Sequence, residues 1–117
     1  MSQLDAALDA VRAHPGVEHV LVLGRDGLLI QHAGDGALDA ETVSAMVPGL
    51  AAAASALGAA GGVGSAETVV VRLERGVAVV TVLGEDVLLA VLLASGVGFA
   101  PLLRELSARR GALAALV

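Results

Sequence analysis

Two short apolar runs separated by a tight turn constrain the fold of this chain more than any other feature. Residues 15–30 read PGVEHVLVLGRDGLLI, in which the unit Gly24-Arg25-Asp26-Gly27 separates the two runs. Asp-Gly favours the positive φ that a hairpin turn requires, so this stretch predicts a β-hairpin. A helical pattern precedes the hairpin and a long uncharged helical pattern follows it, an order that most small α/β folds do not have.

The composition limits the class of protein. The chain has 117 residues, so we expect a single domain over residues 1–117 with a substantial core. The net charge of −5 argues against non-specific binding to nucleic acid, which needs clustered cations. Because cysteine is absent, disulfides, thiolate metal sites and cysteine nucleophiles are excluded. The acidic start, MSQLDAALDA, lacks the basic region of a secretory signal, so we expect a cytoplasmic protein.

Periodicity and end signals predict three helices and five strands. Ser2 is a suitable N-cap for helix 1, and His14-Pro15 ends that helix because the residue before proline disfavours the α conformation. Asp39 is a suitable N-cap for helix 2. The predicted elements are helix 1 at 2–14, strands 1 and 2 at 17–23 and 28–33, helix 2 at 39–61, strands 3 to 5 at 68–73, 77–83 and 87–94, and helix 3 at about 99–113.

The strand patterns predict a three-layer arrangement. Strands 4 and 5 are apolar at nearly every position, which is typical of strands that are buried on both faces. Short turns make strands 1–2, 3–4 and 4–5 antiparallel neighbours. The sequence therefore predicts an α/β (α+β) domain with the order α-β-β-α-β-β-β-α, a mostly antiparallel five-stranded sheet and helices on both of its faces.

Residues 42–66 contain no charged residue and are long enough to span a bilayer. They include Pro48, several glycines and mostly alanine rather than leucine, isoleucine or phenylalanine. We therefore expect no membrane span, but a helix that is buried by protein on all sides. Pro48 removes one backbone hydrogen bond and is expected to kink this helix.

Helix 2 carries two different apolar rows. The larger side chains suit packing on the sheet, and they are Val43, Met46, Val47, Leu50, Ala54 and Leu57. The second row contains only small residues, at spacings of three and four, and they are Ala45, Gly49, Ala52, Ala56 and Ala59. Small residues let two helices approach closely, so we predict that helix 2 packs against its copy in a two-fold homodimer. The alternative is a monomer that simply exposes these alanines.

Residues suited to catalysis or metal binding are few. His19 and His32 could face each other across the hairpin and bind a metal, but no third ligand is predictable, so two surface histidines are the simpler interpretation. Asp26 precedes Gly27 and is expected to form the turn rather than act as an acid. No G-x-S-x-G nucleophile elbow is present. We therefore predict that the protein is not an enzyme.

Two glycine-rich segments invite a nucleotide-binding interpretation. Gly96-Val97-Gly98 lies between strand 5 and helix 3, but Pro101 stands where the third glycine of G-x-G-x-x-G would fall. The chain contains no lysine, so a Walker lysine is excluded. Residues 61–64 follow a helix rather than a strand, which is the wrong context. We expect turn and capping roles for both segments, and neither a cofactor nor a bound metal.

This organisation resembles the roadblock family, the domain of the roadblock dynein light chains. The hairpin PGVEHVLVLGRDGLLI, the Ala-rich second helix, the meander VVVRLERGVAVVTVLGEDVLLAVLL and the closing helix all correspond, so the resemblance covers nearly the whole chain. It is greatest to the bacterial single-domain members. The resemblance implies the sheet order 2-1-5-4-3, with helix 2 on one face and helices 1 and 3 on the other.

The resemblance also implies a function. Family members dimerise through helix 2 and strand 3, which would place Val69 and Val71 at the interface. Bacterial relatives regulate small Ras-like GTPases, as activating proteins or as assembly platforms. We therefore expect a non-enzymatic homodimeric regulator or scaffold of such a GTPase, or alternatively a structural adaptor with no effect on nucleotide turnover. Arg25, Arg72 and Arg75 are the candidates for contacting the partner, one of them conceivably as an arginine finger.

Overall fold

Three helices and five strands follow one another along the chain in the order that the sequence predicts. The computed structural model describes residues 2–117. The elements are α1 (Gln3–Arg12), β1 (Val17–Gly24), β2 (Leu29–Gly34), α2 (Ala40–Ala60), β3 (Thr68–Leu73), β4 (Gly76–Val82), β5 (Val87–Ala94) and α3 (Ala100–Ala114). These bounds agree with the predicted ones to within about two residues, the usual uncertainty of an element's end.

Side-chain caps explain where α1 and α2 begin. The Ser2 hydroxyl accepts a hydrogen bond from the Asp5 amide at 3.0 Å, and the Asp5 carboxylate accepts one from the Ser2 amide at 3.3 Å. The Asp39 carboxylate accepts hydrogen bonds from the Thr42 hydroxyl at 2.6 Å and from the Thr42 amide at 3.2 Å. These two bonds, the hydroxyl first, lower the pKa of Asp39. α3 begins without a side-chain cap and has Pro101 in its first turn.

The sheet has the order β2-β1-β5-β4-β3, and every neighbouring pair is antiparallel. This order confirms the arrangement that the family resemblance implies. The hairpin turn between β1 and β2 places Gly27 at φ +86°, as the Asp-Gly pair predicts. β1, β5 and β4 form the interior of the sheet, whereas β2 and β3 form its two edges.

Two apolar cores lie on opposite faces of the sheet, which confirms the three layers. One core joins the sheet to α1 and α3, and its helical members are Leu8, Val11, Leu102, Leu106 and Leu113. The other joins the sheet to α2, where Val47 and Ala51 pack against Leu21, Leu23, Val80, Leu88 and Ala90. Directly paired residues share a face of a sheet, so the register assigns each strand residue to one of these cores.

Candidate functional site

α2 approaches the sheet through small side chains. Its buried residues are Ser44, Val47, Ala51 and Gly58. The Ser44 hydroxyl donates a hydrogen bond to the Gly27 carbonyl at 2.9 Å, which joins the helix to the hairpin turn. A Cβ atom added at Gly58 would lie 1.9 Å from the Gly64 carbonyl oxygen, so only glycine lets the following loop fold back against the helix. α2 is therefore held to the domain at both of its ends.

The opposite side of α2, which we call its outer face, is apolar and exposed. The five small residues of the predicted seam are all exposed there, namely Ala45, Gly49, Ala52, Ala56 and Ala59. A second row lies beside them at spacings of four, three and four, and consists of Met46, Leu50, Ala53 and Leu57. The outer face therefore combines a small-residue row with a row of larger apolar side chains.

The larger row corrects the sequence analysis. Met46, Leu50 and Leu57 were expected to pack on the sheet, but they are 68%, 40% and 75% exposed. The sheet already fills this layer with leucines and valines from β1, β4 and β5, so only Val43, Val47 and small residues of the helix pack against it. The expectation that protein buries helix 2 on all sides is wrong for the single chain.

Of the described helices, α2 alone is long and apolar enough to cross a membrane by length and composition. The helix also continues through Pro48 without interruption. Its N-cap at Asp39 and the hydrogen bond from Ser44 attach it to the rest of the domain. α2 is therefore firmly attached to the domain, and its outer face is exposed although the helix itself is packed.

β3 offers an open sheet edge on the same side of the molecule as α2. It pairs with β4, and within residues 2–117 no strand pairs with its other edge. Val69 and Val71 are half-buried on the α2 side of this strand, and Leu73 beyond them is exposed. An apolar edge strand with unpaired backbone groups is a template for pairing with another chain.

The Arg25 side chain is bound to this chain's own backbone. Its guanidinium donates to the carbonyl oxygens of Glu85 and Gly84, the latter at 3.4 Å, and its amide donates to the Asp86 carbonyl at 2.8 Å. These bonds fasten the β1–β2 turn to the turn between β4 and β5. Arg25 is exposed, but it would have to leave these carbonyls in order to reach into a partner.

Arg72 and Arg75 lie at the other end of the sheet. β5 runs from Val87, which pairs with the end of β1, to Ala94, which pairs with the start of β4. The β3–β4 turn, with Arg75, is therefore about seven strand residues, or roughly 23 Å, from the hairpin that carries Arg25. Arg75 is exposed and lies 3.5 Å from Glu74. The three candidate arginines do not form one surface.

The two hairpin histidines do meet, as the sequence predicts. Nδ1 of His19 lies 3.0 Å from Nε2 of His32, although the residues are diagonal rather than directly paired. His19 is only 6% exposed. Burial first, then the His19 ring and the Arg12 guanidinium, lower the pKa of His32. Among the described residues no three His, Asp or Glu side chains converge on a possible metal position.

The sequence matches the Roadblock/LC7 domain family over residues 4–93, which extend from α1 nearly to the end of β5. This chain belongs to the Roadblock/LC7 family. The match includes α2 and β3, so the outer face and the open edge are parts of the Roadblock domain itself rather than additions to it.

Solved structures with the same fold include two MglB proteins and a further Roadblock/LC7 domain. The gliding protein MglB from Thermus thermophilus is 22% identical, with a TM-score of 0.86 over 97% of this chain and 87% of that one. An MglB described with a tetrameric arrangement is 21% identical, with a TM-score of 0.88 over the same shares. A Roadblock/LC7 domain from Streptomyces avermitilis is 25% identical, with a TM-score of 0.80 over 97% and 93%. Comparison with curated proteins found no significant match.

Sequence reasoning missed an open cavity of about 660 Å³ in this Roadblock domain. It lies between the loop that precedes α2, with Ala37 and Leu38, and the β3–β4 turn, with Glu74 and Arg75. His19 is part of its wall. The sequence could have indicated that His19 lies beside β5. The cavity also depends on the loop before α2, whose position follows from how α2 packs, and hydrophobic periodicity does not predict that packing.

Proposed function

We propose that this Roadblock domain is a non-enzymatic, homodimeric regulator or scaffold of a small Ras-like GTPase. Family membership supports the class of protein. The observation that carries the proposal is the uncharged outer face of α2, together with the open edge of β3 beside it. Both features suit a molecule whose work is to bind other proteins.

Self-association is the first step of the proposal. The outer face exposes three large apolar side chains, Met46, Leu50 and Leu57, in one row. Contiguous exposed apolar surface marks protein interaction sites. In a two-fold dimer, pairing of the β3 edges would extend the sheet and bring the two outer faces together, with roughly 800 Å² buried on each copy. The tetrameric arrangement of one MglB neighbour adds support for self-association.

The predicted interface residues fit this geometry. Ala45, Gly49, Ala52, Ala56 and Ala59 belong to the small row of the outer face, and Val69 and Val71 belong to the α2 side of β3. The larger row would add most of the apolar area, because each of its large side chains covers several times the surface of an alanine. We therefore extend the proposed interface to Leu50 and Leu57.

Regulation of the GTPase would work by positioning rather than by chemistry of this chain. The pairing of Arg25 with backbone carbonyls argues against a free arginine finger at the hairpin. Arg72 and Arg75 are exposed and are the better candidates for a partner contact. In this proposal the dimer, in the cytoplasm, binds the GTP form of its partner and orders the partner's own catalytic groups.

The test uses the purified protein and the small GTPase encoded nearest to its gene. We expect a complex with the GTPase loaded with a non-hydrolysable GTP analogue, and a weaker one with the GDP form, measured by calorimetry. Single-turnover GTP hydrolysis then measures regulation. No complex in either nucleotide state would contradict the proposal.

Arginine variants separate the mechanisms. Loss of a true arginine finger lowers the stimulated rate by about 10³–10⁵-fold. We expect Arg25→Gln, Arg72→Gln and Arg75→Gln to fall far short of this and to act on affinity instead. Arg104→Gln, at an exposed arginine on α3, is the matched control.

The alternative is a structural adaptor without influence on nucleotide turnover. The engagement of Arg25 favours it, because no arginine at the hairpin stands ready to act on a partner. A stable complex with an unchanged hydrolysis rate would select the adaptor over the regulator.

A further inference from the structure

We propose that the cavity between the loop before α2 and the β3–β4 turn binds a small monocarboxylate with an aliphatic body, whose carboxylate accepts a hydrogen bond from Nε2 of His19. This site adjoins the β3 edge at Leu73 and shares Arg75 with the proposed partner contact, but binding of the ligand does not require the proposed function. It assigns a role to a buried imidazole that neither folding nor partner binding accounts for.

The walls of the cavity fix the body of the ligand. They come from the ends of several strands and from the loop, with Leu38, Leu73 and Leu92 as apolar members and Glu18, His19, Glu74 and Arg75 as polar ones. Its volume of about 660 Å³ is within the range of small-molecule sites. The three leucines suit an aliphatic chain, and the polar members of the wall suit its head group.

His19 supplies the polar group. Its side chain lies on the α2 side of the sheet, next to Leu92, with which it is directly paired. The contact of its Nδ1 with His32 is the one hydrogen bond that its ring makes among the described residues. Among the described residues, every fully buried side-chain nitrogen or oxygen has a hydrogen-bond partner. Nε2 of His19 has no such partner in that part of the chain, so it is not fully buried. This nitrogen is therefore not fully enclosed, and His19 is part of the cavity wall.

The geometry of the histidine pair favours a shared proton over a shared metal ion. A metal held by both rings would lie about 2.0–2.1 Å from each nitrogen, with both lone pairs converging on it. The nitrogens are instead 3.0 Å apart while the ring centroids are 5.2 Å apart. The two nitrogens thus point at each other, which is the arrangement of an N–H···N hydrogen bond.

This hydrogen bond is compatible with donation from Nε2 of His19. When His32 donates to Nδ1, the proton of a neutral His19 ring lies on Nε2. When His19 is protonated, both of its nitrogens donate and His32 accepts. A ligand that accepts a hydrogen bond at Nε2 selects these states, and a carboxylate does so most strongly.

The charges on the rim add a second, weaker contact. Arg75 is exposed and its long side chain can reach the carboxylate, while Glu74 already lies 3.5 Å from it. Glu18, Glu74 and Arg75 are all exposed and therefore screened by water, so the rim charges contribute little to the choice of ligand. The ammonium group of an amine cannot accept a hydrogen bond from Nε2 of His19, whereas a carboxylate can, so we expect the site to prefer an acid.

The experiment compares three eight-carbon probes with the same chain. Sodium octanoate, octanol and octylamine are each titrated into the ¹⁵N-labelled protein, and the ring nitrogens of His19 and His32 are followed by NMR. We expect saturable shifts of both rings with octanoate, binding at least about tenfold weaker with octanol, as loss of one charge-assisted hydrogen bond implies, and the weakest binding with octylamine.

Variants show whether His19 is responsible. His19→Gln is expected to remove the preference for octanoate over octanol, whereas His14→Gln, whose residue is outside the cavity wall, is expected to keep it. If His19→Gln does not fold, Leu73→Asp tests the same site, because Leu73 is exposed and its change should block the aliphatic body. Equal binding of octanoate and octanol, tighter binding of octylamine, or no shift with any probe would overturn the proposal.

Discussion

Leu57→Gln is the sharpest test of the proposed dimer. Leu57 is 75% exposed in the single chain, and complete burial of a leucine side chain is worth about 1.5–3 kcal/mol. Burying the exposed part in a dimer would thus contribute about 1–2 kcal/mol per copy, or roughly 2–4 kcal/mol for the two copies of a two-fold interface. Glutamine removes this contribution, so we expect the dissociation constant of the dimer to rise about 30-fold to 1000-fold.

The assay is sedimentation equilibrium over a range of protein concentrations. Val117→Gln is the matched control, because Val117 is 44% exposed beyond α3, the helix that packs on the face of the sheet opposite α2. It should leave the dissociation constant unchanged. Neither substitution should change the free energy of unfolding by more than about 0.5 kcal/mol in the single chain, which urea denaturation of the monomeric variant checks. A wild-type protein that is still monomeric at about 100 μM, or equal effects of the two variants, would refute the reasoning.

Three further predictions concern the stability of the domain. Gly58→Ala should lower the free energy of unfolding by about 1–3 kcal/mol, because its methyl group would clash with Gly64. Gly49→Ala should raise it by about 0.8–1 kcal/mol in the monomer, because its methyl group meets open space. Urea denaturation measures both changes. The pKa of His32 is lowered in the folded state, so its contribution to stability is complete above about pH 6.5 and declines as the pH falls below that value. His32→Gln should therefore reduce the pH dependence of the free energy of unfolding between about pH 5 and 7. Asp39→Ala should lower the melting temperature, while Asp39→Ser, which can still cap α2, should retain most of it.

The sequence predicts the elements well because local signals mark each of them. Caps at Ser2 and Asp39, the Asp26-Gly27 turn and the continuous apolar runs of β4 and β5 all depend on neighbouring residues. The order of the strands is not local, and here it came from the family resemblance. The observed sheet has this order. Short turns alone predict three of its four strand pairs, so only the pairing of β1 with β5 depended on the resemblance.

The orientation of α2 could not be predicted in the same way. Both apolar rows of the helix satisfy helical periodicity, so periodicity alone does not decide which row faces the sheet. Large residues usually fill cores, which favours the row from Val43 to Leu57 for the sheet, yet only its two valines, Val43 and Val47, pack there. The decision depends on how much volume the strands leave, and Leu21, Leu23 and Leu88 leave little. Packing volume is a property of the assembled layers, which a single segment does not reveal.

The same packing accounts for both the exposed helix face and the open cavity. α2 lies over the end of the sheet where Leu23 pairs with Leu88, and the crowding there turns its larger side chains outward. The next positions along the α2 side of the sheet, where His19 pairs with Leu92, lie outside that core and are covered only at the rim by the loop before α2. Filling the sheet layer with leucine therefore produces one surface suited to a second protein and, beside it, one cavity suited to a small molecule. If smaller residues replaced these leucines, the helix could rotate its larger row inward, and we would expect the outer face to lose its apolar row.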